Sequence, residues 1–152
     1  MDSNYQLIDK AKKFHIPLVF IDPKDLLPKN VDNGAYIINL QDDFVNGVDV
    51  FGTHWVCLYV ENDGVVYFDS FGVIAPSNVE VFLSKRFPRY LYNKKQIQDI
   101  RTGHCGDFCI FFLAFMNRNK HIKLEERLRL FQEIFSNDTS KNLKILKKYI
   151  DI

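Results

Sequence analysis

HWVCLYVENDGVVYFDSF, residues 54–71, predicts two paired strands at the centre of the fold. The runs at 54–60 and 65–71 are rich in β-branched and aromatic residues, which favour strands. Between them, residues 61–64 form a turn that ends in Asp-Gly, a pair typical of tight β-hairpins. Both runs are apolar on both faces, as expected for strands that are covered on each side. We therefore expect a buried antiparallel hairpin.

Patterns on either side of this hairpin complete an α+β outline. Two further strands are predicted, at residues 18–21 and 35–40. Helices are predicted at residues 5–14, 78–84, 108–117, 124–135 and 143–149, with a turn at 136–140. The helix at 108–117 is apolar all round, which is typical of a helix buried in a core. The expected fold is a short, mostly antiparallel sheet packed against a buried central helix with flanking helices.

The size and composition of the chain fit one soluble globular domain over residues 1–152. A hydrophobic content of 47% and a charged content of 26% are ordinary, while 14 phenylalanines indicate an aromatic core. A net charge of +1 gives no overall attraction to nucleic acid or membrane. No secretory signal is visible, and the longest apolar run is too short to span a bilayer. With three cysteines, we expect a reducing interior in which a free thiol persists.

RTGHCGDFCIFF, residues 101–112, raises three alternatives for Cys105 and Cys109. They are metal ligands, a redox pair, or one reactive thiol beside one buried thiol. A structural zinc site usually shows two closely spaced ligand pairs, whereas Cys57 stands alone in a strand and points away from His54. A redox pair needs two residues between its cysteines, and here there are three. The spacing therefore favours a reactive thiol.

Cys105 is the candidate nucleophile because it lies in the expected first turn of a helix. The positive end of the helix macrodipole and the unpaired backbone N–H groups there favour a thiolate. Gly103 and Gly106 would let a substrate backbone approach closely, so both are candidate substrate-binding residues. The Cys105 N–H is placed to donate into an oxyanion hole. Cys109, one helical turn deeper among phenylalanines, fits a small core residue.

A cysteine nucleophile needs a basic partner, and four histidines are available. His54 leads, because a histidine at the end of a strand can face a cleft. His104 adjoins Cys105, but neighbouring side chains usually diverge. His15 lies beside a proline, and His121 lies in a lysine-rich linker. For each of the four, an ordinary structural role stays open.

Asp69 is the candidate that orients the histidine. It is a carboxylate in an otherwise apolar strand, and an unpaired buried carboxylate is costly. The hairpin brings this strand beside the one that begins with His54, although the turn length leaves the register open. The alternative is a turn-capping role before Ser70. Gln96 or Gln98, just before the cysteine loop, is the candidate second oxyanion donor.

The candidate residues lie in sequence phrases that together resemble the adenain-like cysteine proteases, the maturation proteases of adenoviruses. The versions in virophages and Polinton/Maverick-type elements look most similar. The phrases are Gly-Thr-His-Trp-Val at 52–56, Tyr-Phe-Asp-Ser-Phe-Gly at 67–72, Tyr-Asn at 92–93 before a glutamine, and Cys-Gly-Asp-Phe-Cys at 105–109. The resemblance implies a papain-like active site with His54 as base, Asp69 as orienter and Cys105 as nucleophile. It also implies Gln98, rather than Gln96, as the oxyanion donor.

The same resemblance implies a cysteine endopeptidase that cleaves capsid precursor proteins at glycine-containing sites, in the virion and the infected host cell. No cofactor or metal is required by the sequence, but family members are stimulated by DNA and by a short cysteine-containing peptide. Both are therefore candidate activating partners. Trp55 is a candidate substrate-binding or supporting residue, with a plain core role as the alternative. Two other functions stay open: a ubiquitin- or SUMO-like deconjugase with the same residue order, and a catalytically silent virion structural protein.

Overall fold

The computed structural model describes residues 2–41 and 54–152. Its α-helices are α1 (Asn4–Lys13), α2 (Ser77–Ser84), α3 (Cys105–Arg118), α4 (Leu124–Glu133) and α5 (Asn142–Leu146). Its strands are β1 (Leu18–Pro23), β2 (Gly34–Asn39), β3 (Trp55–Glu61), β4 (Gly64–Phe68) and β5 (Leu91–Tyr92). Gly52 and Thr53, in the first family phrase, lie outside the described residues. Within the described ranges no helix has the length and hydropathy needed to cross a membrane.

Two helix starts matter for the site. Helix α1 begins with a capping box, in which the Ser3 hydroxyl accepts from the Gln6 N–H and the Gln6 side chain accepts from the Ser3 N–H. Helix α3 begins at Cys105, a few residues before the predicted stretch of 108–117. Its side chains are buried along almost its whole length, from Cys105 to Ala114 and at Met116. The prediction of a buried central helix is therefore confirmed.

The strands form one five-stranded sheet in the order β1-β2-β3-β4-β5. The predicted hairpin is confirmed, and Glu61 pairs with Gly64, so its turn is Asn62-Asp63. Strands β2, β3 and β4 are antiparallel, whereas β1 and β5 pair in parallel with their neighbours. The sheet is more mixed than expected, because both outer strands run parallel and β5 was not predicted.

Both faces of the sheet are covered, which places it between two apolar layers. Residues alternate along β3, so that Cys57 belongs to the core beneath α3 and Val56 to the core beneath α2. On the α3 side the rings of Phe68 and Phe112 stack with their centroids 4.6 Å apart. Burying one such side chain stabilises the fold by about 1.5–3 kcal/mol. The expected α+β class, with a buried helix against a sheet, is confirmed.

The hairpin and α3 bring three chain segments to one edge of the sheet. His54 directly precedes β3, and Asp69 directly follows β4. Because the two strands are antiparallel, the start of β3 lies beside the end of β4. The N-terminus of α3 lies there too, since the Trp55 N–H donates to the Cys105 sulfur at 3.4 Å. The candidate residues therefore meet at the ends of three buried elements.

The opposite end of the hairpin is held by an ion pair between a buried arginine and a partly exposed glutamate. Arg127, on α4, is 2% exposed and donates to both carboxylate oxygens of Glu61, at 2.6 and 2.7 Å. Its guanidinium also donates to the carbonyls of Met116 and Ile122. A bidentate contact of this kind is geometrically specific. It ties α4 and the end of α3 to the hairpin turn, away from His54.

Candidate active site

His54 and Asp69 form a direct pair. The His54 Nε2 and the Asp69 Oδ1 are 2.7 Å apart, and the Asp69 side chain is 3% exposed. The Phe71 N–H also donates to the same Asp69 oxygen at 2.8 Å. The Phe71 ring stacks on the imidazole, with ring centroids 4.6 Å apart and planes inclined by 19°. The carboxylate and the phenylalanine together fix the position of the imidazole ring.

The main chain at Asp69 is held by a buried asparagine. Asn93, which follows β5, is fully buried, accepts from the Asp69 N–H at 3.0 Å and donates to the Asp69 carbonyl at 2.6 Å. It also donates to the Lys95 carbonyl at 3.2 Å. The two reciprocal bonds act as a backbone clamp on the residue that orients His54. Neither the clamp nor the Phe71 stack was predicted, although the Tyr-Asn phrase marked the position of Asn93.

Cys105 meets this pair from the first turn of α3. Its hydrogen bond with His54, and the charges of Asp69 and Cys105, act on the imidazole. Burial lowers the pKa of His54, but the bonds to Asp69 and Cys105 outweigh it and raise that pKa to about 9. Since Nε2 is occupied by Asp69, Nδ1 is the nitrogen left for the sulfur. Asp69, His54 and Cys105 thus form a linked series of side chains, an aspartate–histidine–cysteine triad, in which the protonated imidazole is favoured.

We expect the raised pKa of His54 to appear in the pH profile of kcat/KM, as an alkaline fall near pH 9. His54 stays protonated above its ordinary pKa of 6.5 and loses its proton near pH 9. A pKa raised by folding also means that the associated stability is complete below pH 6.5 and is lost as pH rises through about 9. Histidine NMR titration and the pH profile of kcat/KM measure both effects. A His54 resonance titrating at or below 6.5 would contradict the expectation.

Gln98 is buried and lies seven residues before Cys105 in the sequence. Its side-chain amide is hydrogen-bonded to neighbouring loops. Its Oε1 accepts from the Ser70 hydroxyl at 2.5 Å. Its Nε2 donates to the Thr102 carbonyl at 2.9 Å and to the Thr102 hydroxyl at 3.1 Å. Gln96, the other candidate, is exposed and donates to the Gln98 carbonyl. In this structure Gln98 links the Asp69 loop to the cysteine loop, and its role as an oxyanion donor stays a prediction.

The three candidate substrate-binding residues lie in different surroundings. Gly103 has open space around it, since no atom lies within 4 Å of the place where a Cβ would stand. Gly106 is buried, and a Cβ there would stand 2.8 Å from a methyl carbon of Leu7 on α1. Trp55 is also buried, and its Nε1 donates to the Asp2 carbonyl. Gly103 alone of the three is open to a ligand, whereas Gly106 and Trp55 have packing roles.

Gly106→Ala is expected to destabilise the protein, because the added methyl group overlaps with Leu7. Overpacking a core costs about 1–3 kcal/mol, and the better helix propensity of alanine offsets about 1 kcal/mol. We expect the free energy of unfolding to fall by up to about 2 kcal/mol, measured by urea denaturation. Gly103→Ala is the matched control and should change it by less than about 0.5 kcal/mol. Equal stability of the two variants would show that Leu7 moves aside freely.

Cys109 and His104 lie near the candidate nucleophile but have partners of their own. Cys109 is fully buried, and burial first, then the hydrogen bond with Cys57, raise its pKa well above the ordinary value. Its thiol faces the Trp55 carbonyl at 3.5 Å. His104 faces Asp107, with Nδ1 and Oδ2 3.1 Å apart. Within residues 2–41 and 54–152, no cluster of three or more potential metal ligands is found.

No protein-family model matches the chain, and no curated protein matches it. Among solved structures, the chain is similar to one described as the crystal structure of Se-Met ASFV pS273R protease. The TM-score is 0.39 and the identity is 21%, over 67% of this chain and 44% of that chain. The chain thus spans less than half the length of that protease.

Proposed function

We propose that this chain is a cysteine endopeptidase of the adenain-like type. The observation that carries the proposal is the linked series of side chains from Asp69 through His54 to Cys105, assembled at one edge of the sheet. A thiol at a helix start, an imidazole beside it and a carboxylate that holds the imidazole are the parts required for nucleophilic acyl transfer. Their presence together favours an enzyme over a catalytically silent structural protein, although Asp69 also caps the turn by accepting from the Phe71 N–H.

In the proposed reaction, the Cys105 thiolate attacks the carbonyl carbon of a peptide bond and the carbonyl oxygen becomes an oxyanion. The Cys105 N–H donates to that oxyanion, since the first N–H groups of a helix lack partners within the helix. His54 then transfers its proton to the leaving amine, and the C–N bond breaks to give a thioester. Water, deprotonated by His54, attacks the thioester. The acid leaves and the thiolate and imidazolium are restored.

Gln98 is proposed as the second oxyanion donor, with its amide turning from Thr102 toward the substrate when one is bound. Gln98→Ala should then lower kcat about 10²- to 10³-fold, the loss typical of one oxyanion donor. Gln96→Ala, at the exposed alternative, is the matched control and should keep wild-type kcat. Thr102→Val removes a partner of the amide while keeping Gln98, and should retain most of kcat. A Gln98→Ala variant that loses stability but not kcat would assign Gln98 to loop support.

The proposed substrates are capsid precursor proteins cut at glycine-containing sites during virus maturation, in the virion and the infected cell. Support comes from the ordered family phrases and from the open space beside Gly103, which is close in sequence to the nucleophile. A glycine in the substrate would let its main chain lie close to the protein main chain. DNA and a cysteine-containing peptide remain proposed activators, to be tested by adding each to the assay.

The test is incubation of the purified protein with the capsid precursors of its own virus, followed by mass spectrometry of new termini. We expect cleavage next to glycine, and no cleavage by a Cys105→Ala control. Efficient labelling of Cys105 by a ubiquitin- or SUMO-derived vinyl probe, without precursor cleavage, would favour a deconjugase instead. Absence of both activities, with and without the two activators, would favour a structural protein.

A further inference from the structure

Helix α1 packs directly on the turn of α3 that carries the candidate nucleophile. Leu7 is fully buried and fills the space left open by Gly106. Ahead of the helix, the Asp2 carbonyl accepts from the indole N–H of Trp55 at 3.2 Å. The residue after His54 and the residue after Cys105 are thus both in contact with the first part of the chain. This part supports the site without contributing to its reacting atoms.

A charged cluster joins the two helices at the same place. The Lys10 Nζ lies 2.6 Å from the Asp107 Oδ1 and 2.7 Å from the Asp2 Oδ2. The other Asp107 oxygen faces the His104 Nδ1 at 3.1 Å, and the Asp107 side chain is 3% exposed. Burial lowers the pKa of Lys10, but its hydrogen bonds to Asp107 and Asp2 outweigh this and raise that pKa. Lys10 is therefore a cation that bridges two carboxylates.

The position of Asp107 explains why such a bridge is needed. A carboxylate in the first turn of a helix is favoured by the macrodipole. Here, however, it is buried in the same first helical turn as Cys105, where a thiolate must form, although side chains two residues apart on a helix do not face each other. An uncompensated buried anion opposes a second anion close by, because their repulsion is poorly screened. Lys10 reduces that repulsion by pairing with the Asp107 carboxylate.

We propose that Lys10 is a positioning residue of the active site, which holds the first turn of α3 against α1 and balances the charge of Asp107 within the helical turn that carries the nucleophile. The inference rests on the proposed function in taking Cys105 as the nucleophile. The charged and titratable groups around Asp107 and Cys105 come from four segments. Asp107 is faced by Lys10, which also binds Asp2, and by His104. Cys105 is near His54, which is paired with Asp69, and near Cys109.

The test measures the rate of Cys105 alkylation by iodoacetamide as a function of pH, with the modified cysteine identified by peptide mass spectrometry. Lys10→Met should move the midpoint of the rise in rate upward by about one pH unit, because Asp107 then loses its lysine partner and keeps only His104 beside it. Lys10→Met combined with Asp107→Asn should return the midpoint to the wild-type value. Lys12→Met, an exposed lysine on the same helix, is the matched control and should leave the midpoint unchanged.

Two kinds of failure are distinguishable because alkylation needs no substrate. If wild-type protein is alkylated at Cys105 no faster than an unfolded control, the nucleophile assignment fails and with it the proposed function. If Cys105 is selectively reactive but Lys10→Met behaves like Lys12→Met, the positioning role alone is overturned. A double variant that keeps the shifted midpoint would overturn the charge-balancing role, since loss of packing, rather than charge, would then explain the effect. Circular dichroism of each variant verifies that it is folded.

Discussion

Cys105→Ala is expected to abolish peptide hydrolysis, with kcat/KM reduced by about 10⁴-fold or more. The alanine side chain fits the same buried space but cannot form the acyl thioester, so only binding and the backbone donor remain. Cys105→Ser keeps a nucleophilic atom, yet a hydroxyl is far less acidic than a thiol and is not ionised by an imidazolium. We expect it to be nearly as inactive. Hydrolysis of a glycine-containing peptide by purified variants, followed by chromatography, measures both effects.

Cys109→Ala is the control for this experiment, because Cys109 is a buried thiol on the same helix. It removes the weak contact with the Trp55 carbonyl and leaves the aspartate–histidine–cysteine triad intact. We expect it to retain most of kcat/KM while losing some stability from the small cavity it creates. If Cys109→Ala and not Cys105→Ala were inactive, the roles of the two cysteines would have to be exchanged.

Asp69→Asn is expected to lower kcat/KM about 10³-fold, within the range that general acid–base catalysis supplies. Asparagine has the same shape, so the contacts with Phe71 and Asn93 can persist while the negative charge is lost. The charge and hydrogen bond of Asp69 are among the causes that raise the pKa of His54 to about 9. The alkaline limb of kcat/KM should therefore move down, toward the ordinary histidine value of about 6.5.

The measurement is the full pH profile of kcat/KM, recorded beside Asp63→Asn as a control. Asp63 is an exposed residue in the hairpin turn, at the other end of β4 from Asp69. It carries the same chemical change without touching the imidazole, so its profile should match that of the wild type. A rate loss in Asp69→Asn with an unmoved alkaline limb would mean that the carboxylate acts through the fold rather than through His54.

Much of the fold could be predicted because its central elements depend on local patterns. The hairpin at 54–71 has continuous β-branched and aromatic runs with a strong turn, and α3 is apolar all round. Strand β5 was missed because two residues carry no periodicity, and this strand exists only through pairing of Val66 with Leu91 and Tyr67 with Tyr92. The parallel direction of β1 likewise depends on a long-range partner. Pairing partners distant in sequence leave no local pattern.

The aspartate–histidine pair could be predicted because each member is a polar residue at the end of an apolar strand. Strand alternation and a two-residue turn then bring His54 and Asp69 together. The supporting residues were not predicted for the same physical reason that β5 was not. Asn93 clamps backbone atoms of Asp69, 24 residues earlier in the sequence, and Lys10 meets Asp107 from 97 residues away. A buried polar residue in a loop looks like any surface residue until its partners are known.

The candidate catalytic residues stand on buried secondary-structure elements, and this determines how activity is lost on heating. The thiol stands at the start of α3, which is buried along nearly its whole length, and the imidazole precedes a strand covered on both faces. Segments of this kind open to solvent only with the cooperative unit to which they belong. Backbone amides of β3 and of α3 should therefore be among the last to exchange with deuterium. Thermal inactivation should coincide with global unfolding, rather than precede it through local melting.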